Sequence, residues 1–371
     1  MIPLADAFPE AVHTLKLWLD AAPRDGRCVV FCHFDADGLA AGALFGRALP
    51  LLGFTEVVVV PSGRDESAFS DDARQRLAAL EPASLIVTDL GVNTRGTLEA
   101  EGVPTLYVDH HRPSGAPDDA FVVSAYDWEP IPCSAWLAYG LLEAAAPDVD
   151  ELRELDWIAA IGVISDLGDN APWPLMADAK RRHTAKWLKE ATVLVNAARR
   201  ASTFQAAAAL DLLLSADGPK PLAEHPDADP LHAARKEVNR AMAEGRKAAP
   251  VFSEHDPDVP EGLVPDDLRF ALVRVDSACQ IHPLIAQQWR GRLPTYPVIC
   301  ANTGYLDGIV AFSTRSARED VRLPELYQSI DTPGWNGRWG HGHDQASGGH
   351  LPPDVFNRVL DALGFPPDAH V

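Results

Sequence analysis

Short apolar runs alternate with helical patterns along the first half of the chain. The strand-like runs are rich in β-branched and aromatic residues and read, in order, CVVFCHF, EVVVVP, SLIVTDL and TLYVD. Helical patterns follow several of them, such as LAAGALFGRALPLLG, DDARQRLAAL, CSAWLAYGLLEAA and ELRELDWIAAIGVIS. This alternation is typical of a parallel sheet covered by helices on both faces. The region from residue 28 to about residue 166 therefore predicts an α/β domain with a doubly wound, mainly parallel sheet.

The composition changes twice after this region. Residues 176–215 are Ala-rich and helical with no obvious chemistry, and residues 216–267 are rich in Pro, Asp and Gly around one helical segment. Such a composition is typical of a connection between domains. Strand patterns resume in LRFALVRVDS, YPVICANTG and GIVAFSTRS, and no helix pattern follows the final glycine cluster. We predict a first domain over residues 1–190, a helical and Pro/Asp-rich connector over 191–267, and a smaller α/β domain over 268–371.

Size, charge and cysteine content narrow the class of protein. The 371 residues, 47% of them hydrophobic, suffice for two domains with substantial cores. No run approaches twenty apolar residues, and the start of the chain lacks a signal-peptide pattern, so we expect a cytoplasmic protein without membrane contact. The five cysteines form no CxxC pair, which favours buried, reduced thiols. A formal charge of −21 repels polyanions at long range, so any nucleic acid should be held through a few phosphates.

Acidic and imidazole side chains follow the predicted strand ends. Because the carboxyl ends of parallel strands meet at one edge of a sheet, these residues should lie in one crevice. Asp166, which follows the apolar pattern WIAAIGVIS, completes the group. The full set is His33, Asp35, Asp37, Asp89, Asp109, His110, His111 and Asp166.

Four or five carboxylates packed this closely would repel one another strongly unless cations lay among them. Carboxylates with some imidazole and no thiolate suit Mn²⁺ or, less tightly, Mg²⁺, whereas zinc fits worse. An aspartate shared between two cations about 3.5–4 Å apart would place both against a phosphoryl oxygen and a water nucleophile. The sequence therefore predicts a two-cation centre for hydrolysis at phosphorus.

A second cluster lies near the end of the chain, in GRWGHGHDQASGGH. Glycines at 340, 342, 348 and 349 allow close approach of the backbone to an anion, and exposed N–H groups in such a cluster form a phosphate nest. Arg315, after the strand pattern GIVAFST, can bind a phosphate through two N–H groups, and His343 can donate to a terminal phosphate. These residues predict a substrate-binding role for the second domain.

Together these motifs resemble the DHH phosphoesterase superfamily, the group that contains RecJ exonucleases, nanoRNases, cyclic-dinucleotide phosphodiesterases and family II pyrophosphatases. The segments HFDADG, VTDLG, VDHH and GVISDLGD resemble its four motifs in order, and the spacing in HFDAD is similar to that of RecJ-like members. STRS and GHGHDQASGG resemble the DHH-associated substrate domain, with His341 in place of one glycine of its GGGH element. The resemblance covers residues 28–170 and about 268–350.

The resemblance implies a role for each matching residue. One cation would be held by His33, Asp35 and Asp89, and the other by Asp37, Asp89, His110 and Asp166, with Asp89 bridging. Asp109 would orient an imidazole, and His111 would contact the scissile phosphate or assist the leaving group. The residues expected at the substrate are Arg315, Ser316, His343, Gly340, Gly342, Asn93 and Arg112.

The implied activity is Mn²⁺-dependent hydrolysis of short oligonucleotides, or of single-stranded RNA or DNA ends, to nucleoside monophosphates. The oligomeric state stays open, with a homodimer as one alternative. A RecJ-type exonuclease acting on long strands and a cyclic-dinucleotide phosphodiesterase remain alternatives, because they use the same residues. A pyrophosphatase is disfavoured, because the lysine-rich C-terminal signature of that branch is missing. A non-catalytic binding module is disfavoured, because every expected metal position is filled.

Overall fold

The chain forms two compact units in its computed structural model. The structure describes residues 1–64, 66–98, 102–168, 170–333, 335 and 339–371, and only the backbone of residue 341. One unit comprises residues 1–199 and 203–233, and the other residues 200–202 and 234–371. Residues 191–267, predicted as a connector, contribute to both units. Among the described helices, none combines the length and the apolar character needed to cross a membrane.

The first unit contains a five-stranded, fully parallel sheet in the order β3-β2-β4-β5-β6, with β1 and β7 paired separately. Its strands are β1 (Ile2–Pro3), β2 (Arg27–Cys32), β3 (Glu56–Pro61), β4 (Ser84–Thr88), β5 (Thr105–Asp109), β6 (Phe121–Ser124) and β7 (Trp128–Glu129). Its helices are α1 (Leu4–Ala21), α2 (Ala36–Leu51), α3 (Asp71–Ala78), α4 (Ser134–Ala145), α5 (Asp156–Asp166), α6 (Pro174–His183), α7 (Ala185–Arg200), α8 (Ala206–Ser215) and α9 (Pro219–Ala223).

Helices cover both faces of this sheet. Alternate residues of β2 point to opposite sides, because side chains in a strand have a period of two. Val30 packs with α1, α2, α4 and α5, whereas Val29 and Phe31 pack with α3. The prediction of a doubly wound, mainly parallel α/β fold is confirmed. Cys28 and Cys32 are buried, free thiols on the side of Val30, as the apolar run around them suggested.

The second unit contains a six-stranded mixed sheet in the order β12-β13-β11-β10-β9-β8. Among its described strands only β9 and β10 pair in parallel, and α11 connects them. Its strands are β8 (Val251–Phe252), β9 (Ala271–Val275), β10 (Val298–Leu306), β11 (Ile309–Arg315), β12 (Trp339–His343) and β13 (Ala346–Leu351). Its helices are α10 (Asp229–Gly245), which begins at the end of the first unit, α11 (His282–Arg292), α12 (Leu323–Ser329) and α13 (Pro353–Ala362).

The structure corrects the sequence analysis after the glycine cluster. No helix was expected there, yet α13 begins two residues after β13 ends. Val355, Phe356, Val359 and Leu360 are buried on one face of α13, with the spacing of an amphipathic helix. The strand β6 was also missed, because a four-residue run is too short to stand out by periodicity.

Candidate metal centre

The candidate site lies at the carboxyl ends of three neighbouring parallel strands. β2 ends one residue before His33, β4 ends one residue before Asp89, and β5 ends in Asp109. The sheet order places β2, β4 and β5 side by side, so these ends meet at one edge. The position of the site therefore follows from the sheet alone.

A tight turn after β2 places Asp35. This residue is the N-cap of α2, and its Oδ1 accepts a hydrogen bond from the backbone N–H of Gly38 at 3.1 Å. A Cβ at position 38 would lie 2.4 Å from the Cβ of His33, so the turn requires glycine. The HFDADG pattern thus combines a helix cap with two side chains, His33 and Asp35, directed to one place.

Asp37 lies in the first turn of α2 and faces the N-terminus of α4. Its two carboxylate oxygens accept hydrogen bonds from the backbone N–H groups of Ser134 and Ala135, at 2.8 and 2.9 Å. A helix N-terminus stabilises a nearby anion through its free N–H groups and its dipole. α4 therefore anchors a carboxylate contributed by α2.

Asp89 is the central carboxylate of the site. It is 3% exposed and has a φ of 62°, a left-handed conformation that Asp and Asn tolerate better than most residues. Its Oδ2 lies 3.4 Å from Nδ1 of His33, and its Oδ1 lies 3.4 Å from Nε2 of His110. The hydroxyl of Ser134 donates a hydrogen bond to Oδ1 at 2.9 Å. Asp89 therefore lies beside both imidazoles, those of His33 and His110.

Among the residues that the structure describes, the ligand atoms form three overlapping groups, each with all its atoms within 4.8 Å of one another. They are His33, Asp35 and Asp89; Asp37, His110 and Asp166; and Asp89, His110 and His111. The first group is the set that the resemblance implies for one cation, and the second contains the set implied for the other except Asp89. The third links Asp89 to the second group through His110.

These residues fit divalent cations on their own geometry. Nδ1 of His33 and Nε2 of His110 are buried and have no hydrogen-bond partner among the residues that the structure describes. Each nonetheless lies 3.3–3.7 Å from oxygens of two carboxylates: His33 from those of Asp35 and Asp89, and His110 from those of Asp89 and Asp166. An imidazole nitrogen and two carboxylate oxygens around one point form a donor set for Mn²⁺ or Mg²⁺.

The pKa values of the cluster indicate how its negative charge is compensated when no cation is bound. Burial raises the pKa of Asp37, and the charges of Asp89 and Asp35 raise it further, to about 8. Burial and the neighbouring Asp37 raise the pKa of Asp166 to about 9. Burial alone would lower the pKa of His33, but Asp35 and Asp89 raise it to about 10. Protons therefore compensate the carboxylates at neutral pH where no cation does.

Asp109 holds His111 rather than joining the cation groups. Its carboxylate is buried and accepts hydrogen bonds from the backbone N–H of Gly91 at 2.7 Å and of His111 at 2.6 Å. The oxygen that accepts from His111 also lies 3.2 Å from Nδ1 of the His111 ring. The side chain of His111 remains 46% exposed. The imidazole is thus fixed on one side and accessible on the other.

Two other expected substrate contacts in this unit lie outside the three ligand groups. The side chain of Asn93 donates to Oγ of Ser114 at 3.0 Å and accepts from the backbone N–H of Arg95, so it braces its own loop. Arg112 is exposed and follows His111 directly. Asp169, the last residue of the fourth motif, lies outside the described residues.

The second unit places Arg315 at the end of β11. Its Nη1 donates to Oγ of Ser313 at 2.7 Å and to the carbonyl of Thr314 at 3.0 Å. Burial, together with the nearby charge of Arg290, lowers the pKa of Arg315. Ser316 is fully buried, and its hydroxyl accepts from the backbone N–H of Arg318. Ser316 therefore shapes the turn after Arg315.

The glycine cluster forms a β-hairpin. Gly348 and Gly349 lie in β13, which pairs with β11 on one side and β12 on the other. A Cβ at position 348 would meet the carbonyl oxygen of Phe312 at 2.4 Å, so this glycine serves sheet packing. Gly340 and Gly342, in the edge strand β12, have φ values of 71° and 136°. His343 ends β12, and residues 337–338 at the start of the cluster lie outside the described residues.

Three polar residues near the site, among those that the structure describes, were not predicted from the sequence. Ser134, at the start of α4, donates to Asp89 as described above. On α7, a guanidinium nitrogen of Arg199 lies 3.9 Å from Oδ2 of Asp35, and its Nε donates to the side chain of Asn196 at 3.2 Å. The only sequence signal was an Asn and an Arg three positions apart in an Ala-rich helix.

Comparison with solved structures gives this arrangement a context. No protein-family model and no curated protein matches the sequence. A RecJ–Mn²⁺ complex from Thermus thermophilus is similar over 96% of this chain and 55% of its own, with 20% identity and a TM-score of 0.66. An exonuclease RecJ bound to manganese is similar over 97% and 95%, with 21% identity and a TM-score of 0.63. The DHH domain of a member of a ribosomal protein family is similar over 98% and 93%, with 14% identity and a TM-score of 0.71.

The chain has the fold of these RecJ and DHH-domain structures. The similarity extends over both units, so the DHH fold accounts for the second sheet as well as for the parallel one. The chain spans only about half the length of the Thermus RecJ.

Proposed function

We propose that this chain is a two-cation, Mn²⁺-dependent phosphodiesterase that hydrolyses short single-stranded oligonucleotides to nucleoside monophosphates. The observation that supports this most is the shared position of Asp89. It belongs to one group with His33 and Asp35, and it lies 3.4 Å from His110 of the other. Asp89 could therefore contact two cations at once, an arrangement that two-metal enzymes use for displacement at phosphorus.

When bound, two divalent cations would neutralise charge on the phosphoryl oxygens and acidify the attacking water. The residues of the chain have separate tasks. His33 and Asp35 would hold one cation, and Asp37, His110 and Asp166 the other, with Asp89 between them. Asp109 fixes the ring of His111, whose exposed edge can donate a proton to the leaving ester oxygen. Water adds across the P–O bond, which releases a monophosphate and a shortened strand.

A product-resolved assay tests the proposal. The substrates are a 5-mer RNA, a longer single-stranded DNA, a cyclic dinucleotide and pyrophosphate, each with Mn²⁺. We expect monophosphates from the 5-mer at the highest rate and no turnover in chelator. Preferential cleavage of the cyclic dinucleotide or of pyrophosphate would contradict the oligonucleotide preference and favour another phosphoesterase activity. Absence of metal-dependent activity on all four would contradict it.

The charge of the chain predicts the preferred substrate length. Two divalent cations change the formal net charge only from −21 to −17 (−21 + 4), so the protein repels phosphates that lie beyond the site. We expect faster turnover on strands of about two to five nucleotides than on strands of about twenty, with a shallow salt dependence that corresponds to about two to four phosphate contacts. Steady-state rates across a length series at two salt concentrations measure this.

A long-strand exonuclease is the second candidate, and one observation favours it. The similarity to the manganese-bound exonuclease RecJ extends over 97% of this chain and 95% of that one. In the length series, this candidate predicts rates that rise steadily with length and a steep salt dependence. That result would contradict the preference for short strands while retaining the two-cation site.

Arg315 is expected to serve the substrate and not the cations. Arg315→Ala should raise KM about tenfold or more, because a charge-assisted contact to phosphate is lost, while Mn²⁺ affinity stays unchanged. His343→Ala should act in the same direction. Arg322→Ala is the control, because Arg322 is an exposed arginine of the same unit that pairs with Glu325. Loss of Mn²⁺ binding in Arg315→Ala would contradict this division of roles.

A further inference from the structure

Helix α7 brings a fixed guanidinium to the edge of the metal centre. Nη2 of Arg199 lies 3.9 Å from Oδ2 of Asp35, and the side chain of Arg199 is 16% exposed. Arg199 lies in the same unit as the candidate ligands, and Asp35 belongs to the first ligand group. Arg199 therefore places a permanent positive charge beside Asp35, a proposed cation ligand.

The orientation of this guanidinium is set by other contacts of α7. Nε of Arg199 donates to Oδ1 of Asn196 at 3.2 Å, and Nδ2 of Asn196 donates to Oγ of Ser165 at 3.0 Å. Asn196 is 8% exposed, and Ser165 directly precedes Asp166. Because Asn196 holds the Nε edge, the Nη groups point towards Asp35. The guanidinium is thus oriented before substrate arrives, which reduces the conformational entropy lost on binding.

Asp35 does not depend on Arg199 for its own position. Its Oδ1 accepts the hydrogen bond from Gly38 that caps α2 and lies 3.3 Å from Nδ1 of His33. At 3.9 Å, the contact of Arg199 with Oδ2 is an ion pair without a hydrogen bond. A cation bound at Asp35 would neutralise that carboxylate and weaken its attraction for the guanidinium.

We propose that Arg199 is a catalytic residue that binds a non-bridging oxygen of the scissile phosphate once a cation has bound to the carboxylate of Asp35. This inference rests on the proposed function and assigns a phosphate contact to the same site. Arginine suits the role, because its planar fork matches two phosphate oxygens and its charge stabilises the negative charge that develops during phosphoryl transfer. Asp35 acts as the place where the guanidinium is held until substrate binds.

Three variants test this with two separate measurements. Arg199→Met removes the charge at similar length, Arg199→Lys keeps the charge without the fork, and Arg181→Met is a control at an exposed arginine of α6. Mn²⁺ alone is titrated and followed by electron paramagnetic resonance, and kcat/KM is measured on the 5-mer at saturating Mn²⁺. We expect Arg199→Met to lose about a hundredfold in kcat/KM, as for removal of a transition-state donor, with Mn²⁺ binding as tight as in the wild type or tighter.

Arg199→Lys should retain part of the activity and bind Mn²⁺ normally, and it decides the question if Arg199→Met fails to fold by circular dichroism. Weaker Mn²⁺ binding in the variants, with activity restored by excess Mn²⁺, would overturn the inference, because Arg199 would then only position Asp35. Wild-type activity in both variants would overturn it as well. An inactive wild type contradicts the proposed function, whereas an active wild type with equally active variants contradicts this inference alone.

Discussion

Asp89→Asn should reduce kcat/KM on a 5-mer by about a thousandfold or more, the largest loss expected from any single substitution of the chain. The reason is geometric. Asp89 lies 3.4 Å from both His33 and His110, so the change removes the carboxylate that contacts both ligand groups. Mn²⁺ titrations of the variant should show weaker binding at both positions.

Asparagine is the appropriate replacement at this position. The φ of 62° at Asp89 is readily adopted by Asn, whereas Ala in the same conformation would add backbone strain of about 1 kcal/mol or more. The matched control is Asp119→Asn, because Asp119 is an exposed aspartate of the same unit outside the three ligand groups. An Asp89→Asn variant with near-normal turnover would show that the ligand assignment is wrong.

Removing the cations should make stability fall as pH rises. Without a cation, Asp37 and Asp166 have pKa values of about 8 and 9 in the folded chain, well above the ordinary aspartate value. Folding therefore favours their protonated forms, and that stabilisation is present below about pH 4 and lost as pH rises through these values. The raised pKa of His33, about 10, acts in the same direction, with stabilisation lost as pH rises from about 6.5 through 10.

Thermal unfolding from about pH 6 to about pH 10 measures this, with and without Mn²⁺. In chelator the Tm should fall steadily, and with Mn²⁺ it should rise and become nearly flat, because the cation replaces the protons. Saturation to about a hundred times Kd contributes about 2.7 kcal/mol per site. Asp166→Asn should weaken the pH dependence in chelator. Since the side chain of Asp166 is 27% exposed, solvent screens part of its effect. Equal slopes with and without Mn²⁺ would contradict the cation assignment.

The strand ends were the part of the site that sequence could predict. Apolar runs that stop at His33, Asp89 and Asp109 indicate both the strands and their common edge, because parallel strands share one direction. The same logic predicted the doubly wound sheet. The helices that carry Asp37 and Asp166 were also visible as apolar patterns. Residues whose place is set by the sheet edge could therefore be found without coordinates.

Contacts that depend on helix packing could not be found in this way. Ser134 reaches Asp89 across 45 positions of sequence, and Arg199 reaches Asp35 only because the last turn of α7 lies beside the start of α2. The strand pairing of the glycine cluster could not be predicted for a related reason. Whether the N–H groups of Gly348 and Gly349 are free depends on β11 and β12, and local sequence does not specify those partners. The glycine content of such a segment indicates which backbone conformations it can adopt, but it does not indicate which strands pair with it.

We propose that one edge of the parallel sheet holds two divalent cations joined by Asp89. Anomalous scattering from crystals grown with Mn²⁺ tests it most directly. We expect two anomalous peaks about 3.5–4 Å apart, one beside His33 and Asp35, the other beside Asp37, His110 and Asp166, with Asp89 touching both. A single peak, or two peaks that do not share Asp89, would contradict the account.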